Sequence, residues 1–319
     1  MCSDEDWLAT MASRDSPTTV PSIVQRDFPL ARLATIRTGG DADYFARAGS
    51  NAQLRELLVW ARAIDVPVAV VGSGSNLLIA DEGVSGLVLK LDRKLALIQH
   101  EGEHILCGGG ARLPSVAARA AQAGLSGIEF AVNIPGSAGG AVRMNANAYG
   151  GQLADTLEWV EIVTADGIER RVPAQLGFAY RRSNLAPGEI VSRACFALLP
   201  DDVDAVKATL AQMRVRRHEA QPQGIKTFGS TFKNPQDDPR AEGRSAGLLL
   251  SEAGCNGLTV GGARFAPKHA NFIENTGTAT TADVVRLMEA GRQRVIERFG
   301  VQLEPEVQTL GEVRFPWES

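Results

Sequence analysis

Two glycine-rich segments and three isolated polar residues are the parts of this chain that could do chemistry. The first segment, Gly72-Ser73-Gly74-Ser75-Asn76-Leu77, follows the apolar run Val68 to Val71. The second, residues 131–151 (AVNIPGSAGGAVRMNANAYGG), sets Gly136, Gly139, Gly140, Gly150 and Gly151 among Val132, Ile134, Ala141, Val142 and Met144. Glycine is used where a Cβ cannot be tolerated, either for positive φ or for close approach of a ligand to the main chain. It packs nothing in a core strand. A glycine-lined loop in apolar company offers bare N–H groups to a nucleotide diphosphate, and a tight connection between strands would read the same way. The polar points are Arg181, Ser230 and Glu306. Spacing alone leaves them equally open to bland roles: a surface arginine, a local turn cap and one member of an exposed Glu-Pro-Glu.

Other chemistries lack their residues. A Rossmann fingerprint would need a third glycine where Leu77 stands, and neither a P-loop nor a GxSxG elbow is present. Four histidines (His100, His104, His218, His269) are too dispersed for a metal cluster, and four cysteines form no CxxC pair. No metal, disulfide framework or zinc site is expected. A formal net charge of −4 with mixed signs argues against nucleic acid. With no eighteen-residue apolar run and no signal-peptide pattern, membrane insertion and export are not expected. A monomeric cytoplasmic protein with reduced thiols is the expectation.

The elements that must position these residues follow from pattern. At 319 residues, two or three domains are the prior. The folded part is expected to open at 28–48, with a strand around Ala42 to Ala46. Ser50-x-x-Gln53 then makes a capping box before Leu54, Leu57, Leu58, Ala61 and Ile64 at helical spacing. Val68 to Val71 reads as a buried strand, and Leu77 to Ala80 and Leu87 to Leu91 as two more. Pro114 suits the first position of a helix ending near Gly124. Leu157 to Val163 alternates into an Asp166-Gly167 hairpin turn, and Val203, Val206, Leu210, Met213 and Arg217 mark another helix. The polar RRHEAQPQG suggests a boundary. Beyond it come a short helix near Ala246 to Ala253 and a long one from Thr280 closed by Gly300.

Six blocks in order lift the polar points above their bland readings. They are TIRTGGDADYF (35–45), VVGSGSNLLIADEG (70–83), GIEFAVNIPGSAGGAVRMNANAYGG (127–151), FAYRRS (178–183), GSTFKNP (229–235) and KHANFIEN through LEPEVQTLGE (268–312). Together they resemble the UDP-N-acetylenolpyruvoylglucosamine reductases, the MurB family of peptidoglycan synthesis. The resemblance implies an α+β protein: an FAD-binding fold of the vanillyl-alcohol-oxidase (PCMH) type in two subdomains, plus a smaller α+β substrate-binding domain. It places a flexible tail at 1–22, the FAD region at 23–215 with a subdomain boundary near 95–105, the substrate domain at 216–302, and a returning segment at 303–319. It implies that FAD lies on Gly72, Ser73, Gly74, Ser75, Asn76 and Leu77, and on Gly136, Ser137, Gly139, Gly140, Ala141 and Asn145. NADPH would reduce the flavin and leave, and the enolpyruvyl UDP-sugar would then take hydride at its vinyl CH2 carbon. Arg181, helped by Glu306, would stabilise the resulting enolate, and Ser230 would donate a proton to the other carbon. Arg217, Asn234 and His269 match substrate contacts.

The chain departs from the family pattern in places. The blocks usually read GIPG and MNAGAYG, where this chain has Asn133 and Asn147. Asn147 is tolerable if that position is left-handed. Ser251 and Asn256 fall where the family has an acid and a lysine, which puts local substrate contacts in question. The 49 positions from Arg181 to Ser230 resemble the shorter subclass. Two alternatives compete with the reductase: a flavin oxidase on the same cofactor fold, and a non-catalytic nucleotide-sugar-binding paralogue.

Overall fold

The strand Asp41–Ala48, with Ala42, Phe45, Ala46 and Ala48 buried, belongs to the first of three sheets of four or more strands in a computed structural model that describes residues 19–222 and 224–317. Its elements are β1 (Gln25–Pro29), β2 (Asp41–Ala48), α1 (Asn51–Ala63), β3 (Val68–Val70), β4 (Leu77–Ile79) and β5 (Val84–Leu91). The sheet order is β1-β2-β5-β3, with β2 and β3 both parallel to β5. Parallel neighbours need a crossover, and α1 supplies it by burying Leu54, Leu57, Leu58, Trp60 and Ala61. Ser50 Oγ accepts the N–H of Gln53, as a capping box requires, but Gln53 Oε1 takes the N–H of Gly49 instead of that of Ser50. Two expectations change here. The fold opens at Gln25 and not at Phe28, and residues 1–18 of the expected tail lie outside the described residues. β3 is not a buried strand, since Val70 is 42% exposed, because this edge strand faces a cavity.

A five-stranded antiparallel sheet follows. It contains β6 (Ile98–Glu101), β7 (His104–Gly108), β10 (Leu157–Val163), β11 (Ile168–Arg171) and β12 (Ile190–Ala197), in the order β11-β10-β12-β7-β6. Between β7 and β10 lie α2 (Leu113–Gln122), α3 (Ala138–Arg143) and a small hairpin of β8 (Asn147–Ala148) and β9 (Gly151–Gln152). Pro114 is the second residue of α2, where its missing N–H is harmless. The glycine segment is therefore part helix, because Gly139 lets α3 press on β7 and β12. A Cβ there would stand 3.1 Å from Gly109 O and 3.2 Å from Val191 O. Helix α4 (Val203–Ala220) packs Val206 and Leu210 on this unit and runs straight through the 215/216 boundary.

The third sheet, β13-β16-β15-β14, comprises β13 (Thr227–Ser230), β14 (Thr259–Val260), β15 (Ala263–Phe265) and β16 (Phe272–Asn275). It is backed by α5 (Ala246–Glu252) and α6 (Thr281–Phe299). Thr280 and Asp283 cap α6 reciprocally, and Gly300 closes it at φ +70°. Asp81, from the first unit, also accepts the N–H groups of Thr281 (2.8 Å) and Ala282 (2.9 Å). A carboxylate is favourable at that helix end, and here it fastens the third unit to the first. The chain then crosses back: Phe232 bridges Pro305, and β17 (Gln308–Leu310) pairs parallel with β4. One apolar core, with Ile36, Phe45, Leu78, Phe228, Phe232 and Phe265 all buried, spans both units.

Candidate active site

Loop 72–76 leaves β3 with its main chain unspent. Gly74 sits at φ +66°, and a Cβ there would lie 1.9 Å from Leu33 O, so no other residue fits. Gly72 abuts the second glycine segment, because a Cβ on it would come within 2.3 Å of Ser137 Oγ. Ser73 Oγ donates to Pro135 O (2.6 Å), and the Lys90 ammonium donates to Gly72 O. The N–H groups of residues 72–76 donate to no acceptor among the described residues. Protein rarely leaves such groups unmatched unless a ligand or water takes them. The second segment behaves differently. Gly139 N–H goes to Gly109 O (2.7 Å), Ala141 N–H to Ser137 O (2.8 Å) and Gly140 N–H to Ser137 Oγ (3.3 Å). The first loop thus offers donors, and the second offers a wall thin enough to approach.

Two cavities meet on these loops. One, of about 500 Å³, is lined by the first loop, Gly136, Ser137, Gly140 and Ala141, and by Arg181, Arg217, Ser230 and Glu306. The other, of about 480 Å³, shares Gly72, Ser73, Ser75 and Ser137, and includes Gly139. Both volumes suit a cofactor or substrate. The second also holds Arg47, Lys90, Arg112 and Arg143 against Asp92 and Glu189, an excess of cations that favours an anionic ligand. Burial, and then the charge of Arg47, push the Lys90 ammonium below its ordinary pKa, against the pull of Asp92. Sequence reading missed these cations. A signal was present, however: Arg47 and Lys90 are register partners at the carboxyl ends of parallel strands β2 and β5, where such sheets bind ligands.

The three polar points converge on the first cavity from separate elements. Arg181 sits in the left-handed region at φ +57°, an uncommon conformation for a long side chain. Its Nε lies 2.8 Å from Glu306 Oε1, with the pair 19% and 13% exposed. The N–H points off the line to that oxygen, so the contact is an ion pair and Nε keeps no hydrogen-bond partner. Glu306 is held from both sides: its N–H donates to Thr231 O (2.9 Å), and Asn76 Nδ2 donates to its carbonyl (3.2 Å). Burial raises the Glu306 carboxyl above the usual range, outweighing the charges of Arg181 and Lys233. Ser230 ends β13 beside Thr231, and its hydroxyl has no partner among the described residues. A fixed cation, an ionisable carboxyl and an unengaged hydroxyl can together stabilise a growing negative charge and deliver a proton.

Three expected contacts, Asn145, Asn234 and His269, make other bonds or packing contacts in this structure. Asn145, 3% exposed, takes the Ala154 N–H on Oδ1 (3.2 Å) and turns Nδ2 to Gln152 and Ala179 (3.4 Å each), so its amide is spent on the hairpin, and it lines neither cavity. Asn234 Oδ1 accepts from Ala246 N–H (3.0 Å) at the start of α5. The His269 ring packs against Gly247 and Phe272, and burial lowers its pKa. Neither Asn234 nor His269 lines either of these two cavities. Asn147 is extended in β8, and the left-handed residues are Asn145 (φ +39°) and Tyr149 (φ +52°). Ser251 and Asn256 line neither of these two cavities. Arg217 does line the first cavity, and burial pulls its pKa down. Gln221, one turn on, lines it too, with an unpartnered Oε1.

Comparison with known proteins agrees with this geometry. Residues 42–172 match the family model described as an FAD binding domain, and residues 221–310 match the C-terminal domain of UDP-N-acetylenolpyruvoylglucosamine reductase. The reductase of that name from Agathobacter rectalis is 42% identical over 301 residues, covering 90% of this chain and 94% of its own. The chain belongs to the UDP-N-acetylenolpyruvoylglucosamine reductase (MurB) family. The Gluconobacter oxydans member is 42% identical over 284 residues, covering 89% of this chain and 90% of its own. The crystal structure of MurB from Thermus caldophilus superposes with a TM-score of 0.77 at 36% identity, covering 90% of this chain and 98% of that one. The fold is accordingly the α+β FAD-binding fold of the vanillyl-alcohol-oxidase type with an added smaller domain. The family assignment brings FAD to this chain as its cofactor.

Proposed function

We propose that this chain reduces the enolpyruvyl group of UDP-N-acetylglucosamine enolpyruvate to the lactyl ether of UDP-N-acetylmuramate, using NADPH and FAD in peptidoglycan precursor synthesis. The observation that carries the reading is the convergence of Arg181, Ser230 and Glu306 on a cavity walled by a loop with unspent amides. Residues 72–76 would hold the FAD diphosphate through main-chain N–H groups, with Lys90 and Arg47 adding positive charge nearby. When bound, FAD supplies a two-electron carrier that takes hydride from NADPH and gives it to the vinyl CH2 carbon.

The protein's own groups handle what that transfer leaves behind. Negative charge moves onto the substrate carboxylate, where the permanently charged Arg181 guanidinium neutralises it. Glu306, beside Arg181 Nε, fixes the guanidinium's orientation. Ser230 Oγ–H gives a proton to the carbon bearing the carboxylate. A serine is a weak acid in water, but an enolate carbon is basic enough to need only a positioned donor. Arg217 supplies positive charge for the UDP moiety on the side of α4. A cytoplasmic monomer is the accompanying assignment. The buried free thiols of Cys107, Cys195 and Cys255 support the compartment, and light scattering would check the monomer.

One experiment tests the reaction. Purified protein should be yellow, bleach with NADPH under anaerobic conditions, and recolour faster with enolpyruvyl-UDP-GlcNAc than with oxygen. Recolouring by oxygen alone, unaffected by the sugar nucleotide, would favour a flavin oxidase, and no bleaching at all would favour a binding protein.

A further inference from the structure

The hairpin that follows α3 carries a conformation its own sequence does not favour. Ala148 pairs with Gly151, so Tyr149 and Gly150 are the two central turn residues, at φ +52° and +85°. This is a type I′ arrangement, in which the first position ordinarily takes Asn, Asp or Gly. A bulky residue there is uncommon, and 47% of Tyr149 is exposed, so packing does not hold it in place. Asn133 does. Its Nδ2 donates to the Tyr149 hydroxyl (3.0 Å) and to Met213 O in α4 (2.7 Å), which uses both amide hydrogens.

Both ends of that link lead to the first cavity. By the helical i to i+4 ladder, Met213 O is also the acceptor for the Arg217 N–H, so Asn133 grips α4 at the carbonyl that anchors Arg217. Arg217 and Gln221 then line the cavity. At the other end, Asn147 of the same hairpin lines the cavity, and its carbonyl accepts from Arg181 Nη1 (3.4 Å). A glycine at position 133 could make neither bond.

We infer that Asn133 is a positioning residue for the nucleotide side of the active site, clamping the Tyr149 turn to α4 so that Arg217 and Gln221 meet the UDP-sugar already in place. The inference rests on the proposed reading of the cavity. Its prediction is a binding effect without a chemical one, because Asn133 touches neither the reacting atoms nor the catalytic trio.

The test uses the full-length holoenzyme and Asn133→Ala, with Tyr149→Phe as a milder variant that removes only the hydroxyl acceptor. Loss of one or two hydrogen bonds of ordinary strength corresponds to about three- to tenfold in an equilibrium. In Asn133→Ala, amide hydrogen exchange at residues 217–221 should quicken by about that factor. KM for enolpyruvyl-UDP-GlcNAc should rise similarly, with kcat within about twofold. Tyr149→Phe should show a smaller rise, and the double variant should be no worse than Asn133→Ala alone, since the two share one bond. Unchanged exchange would overturn the inference, as would faster exchange with an unmoved KM or a fall in kcat alone. A wild-type protein that does not turn over the sugar nucleotide would reject the proposed reaction instead, and the exchange measurement would then decide the role of Asn133 by itself.

Discussion

Replacing Arg181 with methionine separates the two halves of the proposed cycle. The substitution keeps length and removes charge. Methionine meets the same left-handed strain at φ +57°, so that term cancels between variant and wild type. What changes is the partner of Glu306, whose carboxylate has the Arg181 guanidinium 2.8 Å away and is 13% exposed. Stranding a buried charge can cost about 3–5 kcal/mol. Glu306 is already pushed above the usual carboxylate range, however, and can take up a proton instead. The folding penalty should therefore fall well below that figure and shrink as pH is lowered. The catalytic loss has no such escape. Removing one group that stabilises developing negative charge typically costs about 10²–10³ in rate, roughly 2.7–4 kcal/mol. Stopped-flow absorbance under anaerobic conditions reads both half-reactions on one sample. Bleaching by NADPH should stay within about threefold of wild type. Recolouring by enolpyruvyl-UDP-GlcNAc should slow by about 10²–10³. Equal slowing of both, or recolouring within about threefold of wild type, would refute the assignment of Arg181 to the substrate's charge.

Three further perturbations follow from the geometry. Lys233→Met removes a cation that holds the Glu306 pKa down. Activity that needs ionised Glu306 is lost as pH falls through its pKa, so the acid limb of the substrate half-reaction should move to higher pH; an unmoved limb would contradict this. Gly74→Ala combines φ +66° with a Cβ 1.9 Å from Leu33 O, and should lose about 2–5 kcal/mol of stability in thermal melts. Gly243→Ala, at φ +75° with nothing within 4 Å, is the control and should lose only about 1–2 kcal/mol. Lys90→Met frees the Gly72 carbonyl and removes charge from the second cavity, so FAD should bind about ten- to a hundredfold more weakly by fluorescence titration. Unaltered FAD affinity would exclude Lys90 from the cofactor site.

Much of the fold was legible where local and global preferences agree. The α6 cap at Thr280 with Gly300 at the other end and the α1 stripe from Leu54 to Ala61 formed as patterned, and the β10–β11 hairpin formed with its bend on Ala165 and Asp166, not on Asp166-Gly167. The less legible features cluster where tertiary context decides. Val68–Val70 is apolar because it faces a ligand cavity, and an apolar run cannot distinguish that from burial in protein. Asn145, Asn234 and His269 are polar residues in family blocks, but their hydrogen bonds and ring contacts serve the hairpin, the start of α5 and the packing around Gly247. Nothing in the sequence separates a polar residue that holds a loop from one that holds a ligand. Conversely, Arg47 and Lys90 carry no sequence motif, and only the parallel register puts them side by side at the strand ends. The trio itself was visible only through ordered blocks, since the path that brings Glu306 next to Thr231 crosses three units.

The central claim is that an unengaged hydroxyl in this cavity completes the reduction, and Ser230→Ala tests it most directly. Rapid-mixing of the variant should show NADPH bleaching the flavin at close to the wild-type rate, while recolouring by enolpyruvyl-UDP-GlcNAc falls by about 10²-fold or more. If both half-reactions fall together, or if recolouring proceeds at the wild-type rate, Ser230 is not the proton donor and the account of this site is wrong.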